Sequence, residues 1–199
     1  MHLEWLIVSA VGLVIAGLSI AGARWPTIHP AECRVFHAVN RLPNALYPVL
    51  WLPMQLGNLV VGTAAGLVAA LLARDMTVAI GVLVAMVLKL VTERVLRREM
   101  AEYLSVRQRP GTSEVGAILR GRDVPSAGPS FPSGHVILVT GVACVVAPTV
   151  PAAWWWVPLL LIACVMVGRV YVGAHNPLDV TAGLGAGLLV GGLIATLVN

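Results

Sequence analysis

The chain has 199 residues, of which 58% are hydrophobic and 11% charged, with a mean hydropathy of +0.89. A soluble domain carries about 25% charged residues, so this composition excludes an ordinary soluble fold and predicts a multi-pass membrane protein. The net charge of +4 comes without an acidic or basic tail; it favours anionic lipid or an anionic substrate, and nothing resembles a nucleotide-binding loop or a nucleic-acid module.

A membrane helix takes about 20 mostly apolar residues. Trp5 to Ala23 carries no charge and ends at Arg24, which predicts a first span. Glu4 precedes it where a leader would be basic, so it reads as a retained helix rather than a signal peptide. PTIHPAECRVFHAVNRLP, residues 26 to 43, mixes charge with Val35, Phe36 and Val39 and reads as an interfacial amphipathic segment. His29 and His37, within it, have no acid cluster and read as interfacial residues rather than metal ligands. Ala45 to Ala73 is uncharged but over-long for one straight span; Pro48, Pro53, Gln55 and Asn58 predict an interfacial start before the second.

Arg74-Asp75 forms a tight turn, and a third span runs from Met76 to about Val91, with Lys89 snorkelling at its end. The polar stretch TERVLRREMAEYLSVRQ is expected to continue that helix. Residues 109 to 132, rich in Gly, Pro, Ser and Arg, form the one substantial loop. Val136 to Gly168 has no charge; APTVPAA, 147 to 153, divides it into fourth and fifth spans, and Trp154, Trp155 and Trp156 fit an interfacial belt. Val180 to Asn199 is the sixth, with five glycines that permit close packing. The expected fold is all-α: a single domain, 1–199, forming a six-transmembrane-helix bundle with an interfacial segment between the first and second spans. Cys33, Cys144 and Cys164 lack metal-like spacing, and the last two read as small hydrophobes in apolar runs.

Counting crossings puts the 92–134 loop and the 169–179 turn on one side of the membrane. The turn, GRVYVGAHNPLD, contains Arg169, five residues, His175, three residues and Asp179. Asn176 fits an N-cap and Pro177 the first position of the last helix. Asp179, about one turn beyond His175, is placed to accept its Nδ1 proton and leave Nε2 as a nucleophile. The alternative is that His175 caps the helix and Asp179 complements its dipole.

FPSGHV, residues 131 to 136, bears on that choice. Ser133 fits a cap, Gly134 admits close approach, and the first-turn amides form an anion site. His135 stands beside it to protonate a leaving oxygen, and Arg109 and Arg169 are candidates to hold the same anion through forked hydrogen bonds. The set suits in-line phosphoryl transfer, with His175 attacking and His135 as acid. No Asp-rich or His-rich cage is present, so no metal and no cofactor are expected.

PSGH (132 to 135) and R-x5-H-x3-D (169 to 179) resemble the second and third motifs of the type 2 phosphatidic acid phosphatases, the PAP2 superfamily. The resemblance runs from about Met76 to the end, with core motifs over 94–179. It implies that His175 is the nucleophile, His135 the acid, Asp179 the orienter, and Ser133, Gly134 and Arg169 phosphate ligands. The third motif commonly begins Ser-Arg, where this chain has Gly168-Arg169. The first is commonly a Lys, six residues, then Arg-Pro; Arg109-Pro110 fits its end, but Glu102 occupies the Lys position. Arg98 and Arg107 are candidates for the missing cation. Arg98 lies about three turns before Arg109 on one continuous helix, whereas Lys89 falls roughly opposite unless that helix breaks. Taken singly, Arg94, Arg97 and Arg98 read as a solvated face paired with Glu93, Glu99 and Glu102.

Parity places Arg24, Arg34, Arg41, the loop arginines and Arg169 on the catalytic side, and Arg74 alone opposite. The positive-inside rule then points to the cytoplasm. The resemblance implies the extracytoplasmic face of the inner membrane, which is the expectation adopted, with basic residues there binding acidic headgroups. The expected partners are membrane lipids and a lipid-borne phosphate, for which the resemblance implies a polyprenyl phosphate or pyrophosphate, phosphatidic acid, phosphatidylglycerophosphate or a polyprenyl-phosphate sugar phosphate. A lipid phosphotransferase and a non-catalytic lipid carrier are the alternatives.

Overall fold

A computed structural model of the chain describes residues 2–25, 27–102, 107–121 and 124–198. Among these residues the regular elements are all helical, and the only β-type pairing is an isolated bridge between Gln108 and Pro129. In chain order the helices are α1 (His2–Ala23), α2 (Pro30–Asn40), α3 (Tyr47–Met54), α4 (Leu59–Ala73), α5 (Met76–Glu99), α6 (Pro110–Ser113), α7 (Gly134–Val146), α8 (Trp156–Tyr171) and α9 (Pro177–Val198).

Among the described residues, four stretches are long and apolar enough to cross a bilayer: Leu3–Ala23, Met76–Glu99, Ala152–Tyr171 and Pro177–Val198. The pair Asn44–Gly57 and Leu59–Ala73, bent by 76°, brings the number to as many as five, so the chain is an integral membrane protein. Gly134–Thr149, expected as a full span, is a shorter apolar helix.

Local sequence accounts for the breaks. Asn58 ends the Gln55–Gly57 turn and caps α4, its Oδ1 accepting from Val60 N–H at 3.0 Å and Val61 N–H at 3.3 Å. Asp75 does the same for α5 through Thr77 N–H at 2.9 Å and Val78 N–H at 3.1 Å. Arg74 between them takes the left-handed conformation, φ 55°, that closes α4. At the other end, α5 stops at Glu99 with Met100 buried as its cap, so the expected polar extension does not continue to Arg109; residues 103–106 of that expectation lie outside the described residues.

The short helix α7 is the axis of the bundle, buried over nearly its whole length between α4, α5, α8 and α9. Its Val136 and Val139 pack with Phe36, Val165 and Val180, and its Leu138, Val142 and Val145 with Val78 and Val82. Outside it, α1 and α9 lie against each other through small residues. A Cβ on Gly12 would sit 2.7 Å from Gly185 O, and one on Gly185 would sit 2.9 Å from Ala16 Cα. Backbones this close gain dispersion that lipid tails do not offer.

The polar loops gather where α7 and α9 begin and α5 and α8 end. Asn40 at the end of α2 joins two of them, donating from Nδ2 to Ile118 O and Tyr171 O, both at 2.9 Å, and accepting from Ile118 N–H at 2.8 Å. Gly173, at φ 77°, turns the chain beside it, and a Cβ there would meet Ile118 O at 2.8 Å. His37 Nε2 adds a contact to Glu114 Oε2 at 3.4 Å, while His29 Nδ1 accepts from Ala31 N–H at the start of α2.

Candidate active site

The two motif-bearing helices start back to back. Ser133 N–H donates to Asp179 C=O at 3.0 Å, and Gly183 leaves room for the contact, since a Cβ there would lie 2.7 Å from Ser133 O. Pro177 opens α9 at a position where a missing N–H costs nothing.

The Asp179 carboxylate is fully buried and strongly held. Its Oδ2 accepts from Asn176 N–H at 2.8 Å, and its Oδ1 from Arg107 Nε at 3.1 Å and Arg107 Nη2 at 2.9 Å. Asn176 precedes α9 as expected, yet its side chain turns to Gln108 O at 3.4 Å and leaves the turn to Asp179. His175 is 3% exposed, with Nδ1 at 3.8 Å from Asp179 Oδ2. The pairing follows the spacing read from sequence, but at ion-pair length rather than as the expected hydrogen bond. Burial, together with Arg169 and Arg109, pushes the His175 pKa down to about 4 against the pull of Asp179. The imidazole is therefore neutral at physiological pH.

Arg107 does not supply the missing phosphate cation. It is 2% exposed and lies between two carboxylates: beyond Asp179 it donates to Glu32 Oε1 at 2.6 Å and Glu32 Oε2 at 3.2 Å. Burial opposes its charge, but Asp179 and Glu32 outweigh that and raise its pKa. Glu32 Oε1 also accepts from Leu178 N–H at 2.9 Å, so α2 anchors both the guanidinium and the first turn of α9. Sequence reading missed Glu32: its partners are 75 and 146 residues away.

At the start of α7, Ser133 is in the cap position but its side chain makes no capping bond. Its Oγ is fully buried and has no hydrogen-bond partner among the described residues, nor has Arg169 Nε. Gly134 is buried, and His135 follows it. Gly57, in the bend between α3 and α4, seats that histidine: a Cβ there would come within 2.6 Å of His135 Cβ. A cavity of about 280 Å³ opens beside it, lined by Tyr47, Gln55, Asn58, Arg120, His135 and Arg169 among others.

Arg109 donates from Nη1 to Ala174 O at 2.9 Å, next to His175. Burial first, then Arg97, holds its pKa below the usual arginine value. Arg169 lies within electrostatic reach of both Arg109 and His135. Arg98 does not join them. It is exposed, the helix through it ends before Arg109, and it points roughly 100° round α5 from its neighbour Arg97. The α5 residues at the site are instead Lys89, Glu93 and Arg97, at i, i+4 and i+8. Glu93 Oε2 is 2.7 Å from Lys89 Nζ, its Oε1 is 2.7 Å from Arg97 Nη2, and its carboxylate lies against Gly134. The spacing points to the Arg97–Glu93 pair but not to Lys89–Glu93, nor to the side of α5 they occupy.

Comparison with known proteins bears on this constellation. The description of the PAP2 superfamily matches residues 76–199. An undecaprenyl-diphosphatase of Sulfolobus acidocaldarius is 43% identical over 54 residues, 27% of this chain and 26% of that protein, so the chain spans about a quarter of that relative's length. Two solved structures share the fold at a TM-score of 0.69 and 21% identity. One is LpxE of Aquifex aeolicus, covering 81% of this chain and 92% of that one. The other is a transmembrane PAP2-type phosphatidylglycerolphosphate phosphatase of Bacillus subtilis, covering 94% and 93%.

Proposed function

Because the chain belongs to the PAP2 superfamily, we propose that it is a membrane lipid phosphatase, hydrolysing a phosphomonoester or pyrophosphate of a membrane lipid through a phosphohistidine. One observation carries the reading: a buried His175 stands beside a carboxylate fixed by Arg107, where α7 and α9 begin together.

In this reading His175 Nε2 attacks phosphorus in line with the departing lipid oxygen. The P–N bond forms, the P–O bond breaks, and His135 gives its proton to the leaving oxygen. Asp179 stabilises the positive charge that develops on the imidazole. Water then attacks the phosphohistidine with His135 as base, releasing phosphate and neutral His175. Arg109, Arg169, Ser133 and the Gly134 backbone take the charge of the transferring phosphoryl group, a role that needs no metal ion. The unpartnered Ser133 Oγ and Arg169 Nε support this assignment.

We read the six apolar segments as six crossings of the cytoplasmic (inner) membrane, with α2 at its surface and the site at the extracytoplasmic face. α7 and its terminal turn, Gly134–Thr149, rise roughly 24 Å, short of a full bilayer core, which supports a site held below the headgroup plane. The substrate class we favour is a polyprenyl phosphate or pyrophosphate, supported by the match to the archaeal undecaprenyl-diphosphatase.

The test is phosphate release by detergent-purified protein from a panel of lipid phosphates, in EDTA, beside His175→Ala. Release in EDTA that disappears in the variant is expected. Hydrolysis surviving in His175→Ala removes the nucleophile assignment, and loss of wild-type activity in EDTA removes metal independence.

A further inference from the structure

The Glu93 carboxylate lies against the start of α7. It contacts Gly134, the first residue of α7, so closely that a Cβ on that glycine would be 2.8 Å from its carboxyl carbon. Two cations hold it there, Lys89 and Arg97, each at 2.7 Å and each one helical turn away on α5. Lys89 is within electrostatic reach of His135, and Arg97 of Arg109. Ser133 Oγ, next to Gly134, and Arg97 Nε are buried donors that this carboxylate does not engage and that have no hydrogen-bond partner among the described residues; Arg169 Nε, within electrostatic reach of His135, is a third. A helix start, two directly paired cations and three unengaged donors form an anion site with a carboxylate of the protein in it.

We propose that Lys89 and Arg97 are the phosphate clamp that the chain has in place of the Lys of the first motif, and that Glu93 holds this clamp closed until substrate displaces it. A carboxylate and a phosphate dianion repel each other at this range, so the two cannot share the α7 start. Lipid phosphate takes over the ion pairs of Glu93, and release of inorganic phosphate restores them. The inference rests on the phosphatase reading for its substrate, but Glu93 acts on anion binding and not on the chemical step.

The experiment is therefore a binding measurement, isothermal titration of detergent-purified protein with inorganic phosphate, run beside lipid phosphate turnover. Glu93→Gln keeps the size and hydrogen-bonding capacity of the side chain and removes its charge. It is expected to tighten phosphate binding at least ten-fold, and Lys89→Met added to it is expected to reverse the gain. Unchanged or weaker binding by a folded Glu93→Gln overturns the proposal, whatever the turnover. Tighter binding without turnover in any variant, wild type included, upholds the clamp and overturns the phosphatase reading instead. If Glu93→Gln does not fold, Lys89→Met and Arg97→Met carry the test singly: each is expected to weaken phosphate binding at least five-fold, and wild-type affinity in both overturns the clamp.

Discussion

Glu32 meets Arg107 at 2.6 Å across 75 residues of sequence, and through that guanidinium α2 governs the carboxylate of Asp179. Removing one member of a buried, hydrogen-bonded charge group typically costs about 3–5 kcal/mol, because the partners remain buried and unpaired. Arg107→Met is expected to lower stability by about that amount and to abolish activity. Glu32→Gln, which keeps the shape and one acceptor, is expected to fold and to lose activity only in part. Thermal unfolding and turnover of the two variants in the same detergent check both expectations.

Asp179→Asn isolates the role of the carboxylate. The amide keeps the side chain's volume but no longer stabilises a charged imidazole. By the logic of a nucleophile–orienter pair, kcat is expected to fall about 10³- to 10⁴-fold. Single-turnover measurements with labelled lipid phosphate will show whether the lost step is formation of the phosphohistidine; normal formation with slow hydrolysis contradicts the proposed role.

The pH profile follows from the depressed His175 pKa. The imidazole is nucleophilic only when neutral, so kcat/KM is expected to be sustained through mild acid and to fall as pH drops through about 4. Arg169 lowers this pKa and Asp179 raises it. In Arg169→Gln the acid limb therefore moves to higher pH, and in Asp179→Asn it moves lower. The position of the limb, read independently of the height of the profile, separates this electrostatic effect from lost phosphate binding.

Gly57 gives a steric test away from any charge. With a Cβ 2.6 Å from His135 Cβ, Gly57→Ala requires either the histidine or the α3–α4 bend to move. A displacement of about 1 Å costs on the order of 10²-fold in rate, while overpacking costs about 1–3 kcal/mol of stability. The expected signature is a large fall in kcat with KM nearly unchanged. Wild-type kcat in this variant contradicts the seating of His135 by Gly57.

What could be read in the sequence divides along a physical line. His175, Asn176, Pro177 and Asp179 lie within five residues, so one helical turn fixes their geometry, and the same holds for Ser133, Gly134 and His135. Arg107 was legible as a basic residue near the site but not as the partner of Asp179, since its direction depends on α2 packing from the far side. Counting turns along one continuous helix puts Lys89 roughly opposite Arg109 and leaves it a candidate only if that helix breaks, which it does at Glu99. Charged spacing on α5 is compatible with a solvated face or a buried one; only the packing of α5 on α7 decides.

The family match begins at residue 76, but Glu32, Asn40 and Gly57 come before that point and hold the Arg107 guanidinium, the loops and His135 in register. A chimaera joining this motif region to the N-terminal third of a relative would inherit the chemistry without its alignment. The exchangeable unit is the motif region together with its own α2 and the bend at Gly57. Such a hybrid needs a carboxylate facing Arg107 where Glu32 stands here.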